Sequence, residues 1–239
     1  MQFVHPTRLP RAAESSDSFH QDMLRGFTHK LNNLLGVIQG FGSLALMDDS
    51  ISKGTTEGLE HIQEAAADVI KLGERVRSAG GCARPQLQAL DLGNYFRLMQ
   101  AALAAPFAKT NVPFEIEFEA DLPPVLVDPT RFREVLLEVL TNAAEAAHVQ
   151  GGAVQLTVGE VPSEARPAER RVELLLRNAG AALPGGPLER IFDPFQTGKA
   201  GHVGLGLTIA AMLCQQMNLE IGLATAAGET VVRLRCPIA

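Results

Sequence analysis

The sequence has few cysteines and no long apolar run, and both absences exclude classes of protein. No stretch reaches the roughly 18 apolar residues that a membrane span needs. The first residues carry Pro and charge where a signal peptide would be apolar. The three cysteines, Cys82, Cys214 and Cys236, lack metal-ligand spacing and are odd in number, which disfavours a disulfide framework. We therefore expect a cytoplasmic protein with reduced thiols and no membrane span.

Positive charge is also scarce. The chain has 21 Lys and Arg against 27 Asp and Glu, a formal net charge of −6, and no basic run. This balance disfavours a protein that binds by neutralising phosphates, so we expect no nucleic-acid partner. At 46% hydrophobic and 20% charged residues, the chain can bury a sizeable core, and its 239 residues suffice for one large domain or two small ones.

Helical periodicity dominates the first third of the chain. Apolar residues recur at steps of three, four or seven over residues 17–47 and again over 56–78, with turn residues between them. The pattern predicts a helical hairpin over residues 17–79, preceded by a flexible arm at 1–16. Because a lone hairpin cannot cover two apolar stripes, we expect a homodimer built on a four-helix bundle.

A Gly- and Pro-containing linker is predicted at residues 80–90, and a second domain at 91–239. Its patterns alternate between helical and strand-like. Helices are predicted near 91–108, 129–147 and 205–217, and strands near 114–118, 153–161, 172–177, 219–225 and 229–236. This order predicts an α/β sandwich with helices on one face of a mostly antiparallel sheet, and an α+β fold for the whole chain.

Three groups of residues have chemical potential. His29 lies on the first long helix, where a neutral imidazole can act as a nucleophile, although a single helical His is more often a solvated side chain. Glu138 and Asn142 are four residues apart and share a helix face, so their oxygens could hold Mg²⁺, or simply form a polar surface. Glycines at 201, 204 and 206 precede a helix, where backbone N–H groups can approach a phosphate; the alternative is a plain surface loop.

The order of these groups resembles that of two-component sensor histidine kinases, which join a dimerisation and phosphotransfer hairpin to a GHKL-type ATP-binding domain. Four stretches carry the resemblance: Phe27-Thr-His-Lys-Leu-Asn-Asn, Val127 to Ala143 with its Asn142, Ile191-Phe-Asp-Pro-Phe, and Gly201-His-Val-Gly-Leu-Gly-Leu. It extends from about Phe19 to Cys236.

The resemblance implies roles for particular residues. His29 would accept the γ-phosphoryl group of ATP, and Asn33, one turn later, would position water in a phosphatase reaction. Asn142 would bind Mg²⁺ with Glu138 beside it. The remaining nucleotide contacts would come from Asn178, Gly180, Phe192, Gly204 and Gly206, with residues 192–201 as the lid.

Two stretches depart from the family pattern. Lys30 follows the acceptor His where the family usually has an acid, and a cation cannot serve as that base. Asn178 and Ala182 stand in the first glycine box, where a neutral Asn178 would bind the adenine amino group less strongly than a carboxylate.

The leading hypothesis is a protein histidine kinase, a weak or degenerate one given these departures, that phosphorylates His29 and passes the group to an Asp of a separate response-regulator receiver domain. An upstream sensor or phosphodonor would be a separate protein. One alternative is a histidine phosphotransfer protein that shuttles phosphate between receivers without using ATP. A third interpretation is a nucleotide hydrolase with Glu138 as general base.

Overall fold

The computed structural model describes residues 2–6, 15–47, 52–79, 84–164, 168–179, 188–198, 204–226 and 228–239. The chain divides into two compact units, which are described separately. Residues 12–83 form the hairpin unit, and residues 1–11 with 84–239 form the ATP-binding-type unit. Across the described helices, none combines the length and apolarity needed to cross a membrane.

The hairpin unit consists of α1 (Ser15–Leu46) and α2 (Lys53–Ala79). Both helices extend about as the periodicity predicts, and they pack against each other. At two points where α1 and α2 approach each other closely, one of the facing residues is glycine. A Cβ on Gly42 would meet Gln63 Cγ at 3.2 Å, and one on Gly73 would meet Thr28 Cγ2 at 3.4 Å. Because the later part of α2 meets the earlier part of α1, the two helices are antiparallel.

The described part of the second unit contains a five-stranded main sheet, a two-stranded small sheet, four α-helices and a 3₁₀ turn. In chain order the described elements are β1 (Gln88–Leu90), α3 (Leu92–Leu98), α4 (Gln100–Thr110), β2 (Phe114–Phe118), β3 (Val125–Val127), α5 (Pro129–Gln150), β4 (Val154–Pro162), β5 (Arg170–Ala179), the 3₁₀ turn Leu188–Phe192, α6 (Gly206–Gln216), β6 (Glu220–Ala226) and β7 (Glu229–Pro237).

The main sheet has the strand order β2-β4-β5-β7-β6. Only β2 and β4 run parallel, and the other three neighbouring pairs are antiparallel, as the sequence predicts. Alternate residues of β4 and β5 are buried, and one face of the sheet packs against α5 and α6. Asp128 caps α5 by accepting from the backbone N–H of Thr130 and Arg131, and Pro129 occupies the first turn.

Three boundaries differ from the sequence expectations. Residues 2–6, expected within a flexible arm at 1–16, lie against β6, where Val4 forms an antiparallel bridge with Leu223. The expected linker at 80–90 ends in β1, which pairs with β3, a strand that the periodicity does not reveal. The expected helix at 91–108 is two helices, with a break at Met99. The first two differences depend on a partner distant in the chain.

Candidate functional site

The acceptor candidate, His29, is exposed on α1 of the hairpin unit. The amide Nδ2 of Asn33, one helical turn later, lies 3.1 Å from its Nδ1. Thr28, next to His29, is buried, and Oδ1 of Asn32 is buried with no hydrogen-bond partner in the described part of the chain. The hairpin therefore places one imidazole and one carboxamide together at its surface, close to two buried polar groups.

The contact between Asn33 and His29 bears on which ring nitrogen can react. A carboxamide can donate to an imidazole nitrogen through N–H or accept from it through oxygen. In the orientation seen here Nδ2 donates to Nδ1, so the ring proton is on Nε2. If the carboxamide turns so that its oxygen faces Nδ1–H, the lone pair of Nε2 is free for nucleophilic attack. The side chain of Lys30 is not among those that the structure describes. Asn33 is thus the described polar group within hydrogen-bonding distance of the His29 ring.

In the ATP-binding-type unit, Glu138 and Asn142 lie on one face of α5 and meet the first residue of α6. A Cβ placed on Gly206 would lie 2.7 Å from Glu138 Oε2 and 3.5 Å from Asn142 Nδ2. A real Cβ does not approach a carboxylate oxygen so closely, so only glycine fits here without displacing Glu138. The structure therefore brings together three of the residues that the sequence selects, at the N-terminus of a buried helix.

Gly204 holds the loop before α6 against the segment that follows the 3₁₀ turn. Its φ is +73°, a conformation that favours glycine, and a Cβ there would lie 2.8 Å from the carbonyl carbon of Phe195. The Phe195 N–H donates to the Gly204 carbonyl at 2.9 Å. The first part of the expected lid, residues 192–198, is therefore held against Gly204, which lies just beyond the lid, whereas residues 199–203 lie outside the described residues.

The two phenylalanines at the start of this lid have opposite environments. Phe192 is 3% exposed, and its carbonyl accepts from Thr208 Oγ1 at 2.9 Å. Phe195 is 66% exposed and has a φ of +63°, which is uncommon for a bulky residue. The buried position of Phe192 supports a role as the anchor of the lid, and any direct contact between its ring and nucleotide remains a prediction.

Asn178 is buried near the end of β5, where its Nδ2 donates to the Ala179 carbonyl at 2.9 Å. This bond leaves its oxygen as the group that can accept. Thr230 of β7 lies opposite Asn178 in the sheet register and is also buried. The sequence gives no signal for Thr230, because its neighbour is set by strand pairing alone. Gly180 and Ala182 lie outside the described residues.

The donor set fits a magnesium ion that is shared with a nucleotide. Within the described ranges, no group of three or more His, Cys, Asp or Glu side chains could hold a metal by itself. Mg²⁺ commonly binds one or two protein oxygens together with substrate phosphates and water. The adjacent Glu138 and Asn142 side chains, beside a helix N-terminus that favours anions, match that mode of binding.

Comparison with known proteins agrees with this geometry. Residues 127–239 match the family of histidine kinase-, DNA gyrase B- and HSP90-like ATPases. Sensory histidine kinase/phosphatase NtrB of Rhodobacter capsulatus is 26% identical over 222 residues, which cover 91% of this chain and 62% of that protein. The chain is therefore similar to two-component histidine kinases over most of its length, and residues 127–239 match this ATPase family. Sporulation kinase E of Bacillus subtilis is another relative, 22% identical over 238 residues. The matched residues cover 96% of this chain and 30% of sporulation kinase E.

Solved histidine kinases share the fold. Full-length ShkA in complex with AMPPNP superposes with a TM-score of 0.74 at 20% identity, over 92% of this chain and 46% of that one. The histidine kinase AdeS of Acinetobacter baumannii gives a TM-score of 0.57 at 16% identity, over 88% of this chain and 98% of that one. The chain spans about 62% of the length of the NtrB relatives.

Proposed function

We propose that this chain is a protein histidine kinase that uses Mg²⁺-ATP to phosphorylate His29 and then transfers the group to an Asp of a separate receiver domain. The observation that carries the proposal is the convergence of Glu138 and Asn142 on Gly206, because a site that had lost its nucleotide would have no need to keep a side chain out of this position. The exposed His29, paired with Asn33, is the acceptor.

The chemistry needs little from the protein beyond positioning and charge stabilisation. The lone pair of His29 Nε2 attacks the γ-phosphorus, the bond to the β,γ-bridging oxygen breaks, and ADP leaves with that electron pair. In the second reaction a carboxylate oxygen of the receiver attacks phosphorus, and the P–N electron pair returns to Nε2. Mg²⁺, when bound by Asn142 and Glu138 with the nucleotide, would neutralise charge on the phosphates.

On α1, Asn33 has two proposed tasks in these reactions. By accepting a hydrogen bond from Nδ1–H through Oδ1, Asn33 would keep the imidazole in the tautomer whose Nε2 is nucleophilic. In a separate phosphatase reaction, the same amide would hold a water molecule that attacks the phosphorus of the receiver's aspartyl phosphate, releasing inorganic phosphate and the Asp carboxylate. The 3.1 Å distance from Asn33 Nδ2 to His29 Nδ1 shows that the carboxamide reaches this ring nitrogen, and the first task requires it to turn so that its oxygen replaces Nδ2 there. The exposure of Asn33 at the same surface supports the second task.

Labelled ATP tests the proposal directly. We expect an acid-labile label on the intact chain that is lost in His29→Ala and kept in His61→Ala, since His61 is a comparably exposed histidine of α2. Transfer of the label to a receiver domain is measured in a second step. A label that survives in His29→Ala would contradict the choice of acceptor.

The phosphotransfer protein is the second candidate function, and a particular residue favours it. Asn178 presents a neutral acceptor where the family usually has a carboxylate, and its amide is already bonded within the strand. A titration with ADP and Mg²⁺ distinguishes the two candidates. Binding at micromolar to millimolar concentration supports the kinase, whereas no binding, with His29 still labelled from a phosphorylated receiver, supports the phosphotransfer protein.

A further inference from the structure

The first residues of the chain form a contact that the proposed kinase reaction does not use. Residues 2–6, called here the N-terminal strap, lie along the free edge of β6, the outermost strand of the main sheet. The Val4 N–H donates to the Leu223 carbonyl at 2.8 Å, and the Leu223 N–H donates to the Val4 carbonyl at 3.0 Å. An edge strand exposes such groups, and the strap satisfies two of them.

Side chains on both sides of Val4 add a second set of contacts. The Phe3 ring lies over the Arg233 guanidinium at 4.0 Å. His5 Nδ1 donates to the Ile221 carbonyl at 2.8 Å, and Arg233 donates to His5 Nε2 at 3.4 Å. A carbonyl can only accept and a guanidinium can only donate, so both bonds agree on one neutral tautomer of His5.

The sheet is shaped to receive the strap at Gly222. The three atoms nearest to a Cβ at Gly222 all belong to the strap: His5 Cε1 at 2.8 Å, His5 Nδ1 at 3.2 Å and Phe3 Cβ at 3.4 Å. Arg233, which also pairs with Glu164 at 3.0 Å, is only 6% exposed beneath Phe3. The β6 edge is therefore a built binding surface for an extended segment with this spacing of side chains.

Non-covalent docking of the strap adds a second tether between the two units, because residues 7–14 continue from the strap into α1. The ATP-binding-type unit joins the hairpin through the residues between Ala79 and Arg84, five peptide links that span at most about 18 Å. With the strap docked, it also joins through the nine links between Pro6 and Ser15, at most about 32 Å. Because α1 and α2 are antiparallel, both connections reach the same end of the hairpin.

We propose that the N-terminal strap is a releasable restraint: docked on the β6 edge, it limits the movement by which the ATP-binding-type unit delivers nucleotide to His29. Release of the strap leaves a single connection and raises the rate of autophosphorylation. The few hydrogen bonds and the one cation–π contact are opposed by the conformational entropy of ordering five residues, a cost of similar size. The docked and released states are therefore close enough in free energy for a partner or an upstream change to shift them. The effect on rate depends on the proposed function, whereas docking and restraint do not.

Two variants release the strap from opposite sides. Val4→Pro removes the N–H that bonds to Leu223, and Val4→Ala is the matched control that keeps it. Gly222→Val places a side chain where His5 and Phe3 lie, on a strand where Val is favourable. Hydrogen exchange in the intact chain measures docking. The exchange rate of the Leu223 amide should rise at least tenfold in Val4→Pro and Gly222→Val and should stay unchanged in Val4→Ala. The amide of Val232, in the sheet interior, should stay protected and so exclude unfolding.

Restraint is measured without any reference to activity. Spin labels on Lys53→Cys and Val149→Cys, in a Cys82→Ser background, report the distance between the two units. The distribution should broaden in Val4→Pro and Gly222→Val and not in Val4→Ala. Unchanged Leu223 exchange, or exchange that accelerates with no broadening, would overturn the proposal.

The rate of His29 phosphorylation from Mg²⁺-ATP is the third measurement. It should rise at least threefold in both releasing variants. Faster Leu223 exchange with an unchanged or lower rate would show that the strap does not limit the reaction and would overturn that part. A third outcome separates the two proposals. If neither the unmodified chain nor any variant is labelled from ATP, but the distance distribution still broadens in the releasing variants, the proposed kinase function fails and the restraint stands.

Discussion

Gly206 determines whether Glu138 and Asn142 can occupy the same corner of the ATP-binding-type unit. In Gly206→Ala the new Cβ would meet Glu138 Oε2 at 2.7 Å, so the carboxylate must move. We expect the Kd for Mg²⁺-ADP to rise at least tenfold. The free energy of unfolding should change little, because Glu138 is only half-buried and its side chain can move towards solvent. Calorimetric titration measures the affinity.

A glycine with open space around it supplies the control. Gly58 lies within α2, and a Cβ there would meet nothing within 4 Å. Gly58→Ala should raise the free energy of unfolding by about 0.5–1 kcal/mol through helix propensity and leave nucleotide affinity unchanged. Equal affinities for Gly206→Ala and the unmodified chain would refute the assigned role of this corner.

Replacing Asn178 with Asp should have opposite effects on stability and on the affinity for ATP. Asn178→Asp removes the donor to the Ala179 carbonyl and buries a carboxylate, so the free energy of unfolding should fall by about 1–3 kcal/mol at pH 7. Burial raises the pKa of the introduced Asp above its unfolded value, so the loss should shrink as the pH falls through that range. Urea unfolding at pH 7 and at pH 4 measures both.

The same variant should bind ATP more tightly. An ionised acceptor bonds an amino group more strongly than an amide oxygen, by roughly 1 kcal/mol, or about fivefold in Kd. Asn178→Ala, which lacks both the donor and the acceptor, should weaken nucleotide binding and stability together. Weaker ATP binding in Asn178→Asp than in Asn178→Ala would argue that this residue does not face the base.

At the scale of elements, α6 and β7 each bury one thiol in the core of the ATP-binding-type unit. Burial raises the pKa of Cys236 to about 12, and burial together with the nearby Cys236 raises the pKa of Cys214 well above its usual range. A folded-state pKa above the unfolded one stabilises the fold at low pH, and this stability is lost as pH rises past the unfolded value, near 9.

We therefore expect the free energy of unfolding to decrease above pH 9 by up to about 1.4 kcal/mol per pH unit for each thiol. The double variant Cys214→Ala, Cys236→Ala should start lower, because of lost packing, and have a shallower slope. Urea unfolding between pH 8 and pH 10.5 measures the two slopes. Parallel curves would show that the thiols ionise as readily in the folded state as in the unfolded one.

The short strands show where periodicity fails to predict an element. β1 and β3 are three residues each, too short for an alternating pattern to be distinguished from a loop, and each exists because it pairs with the other. The glycines of α1 are the converse case. Gly42 is explained by its contact with Gln63, whereas Gly36 and Gly40 have open space, and no contact within the described part of the hairpin unit accounts for them.

At the scale of the whole molecule, α1 exposes an apolar stripe. Leu34, Val37, Phe41 and Leu44, at helical spacing, are 55–70% exposed in the hairpin unit. Burial of such side chains is favourable by roughly 1.5–3 kcal/mol each, so we expect a homodimer through this face. Light scattering at micromolar concentration should give twice 25.6 kDa for the unmodified chain.

Phe41→Glu places a charge in the middle of that stripe and should give the 25.6 kDa monomer. Val149→Glu is the matched control, because Val149 is 76% exposed in the other unit, so the dimer should persist. A monomeric unmodified chain, or a dimeric Phe41→Glu variant, would mean that two copies do not assemble through this stripe.

The sequence by itself determined the long elements and selected the residues of the candidate site. Amphipathic periodicity predicts α1, α2 and α5, because an apolar stripe that repeats over several turns is typical of a helix with one packed face, and the i to i+4 spacing places Glu138 beside Asn142. Only the tertiary structure decided what depends on a partner far along the chain: the pairing of β1 with β3, the placement of Thr230 opposite Asn178, and the docking of residues 2–6 on β6. Backbone hydrogen bonding between strands is nearly independent of side-chain identity, so the local sequence does not specify which strands pair.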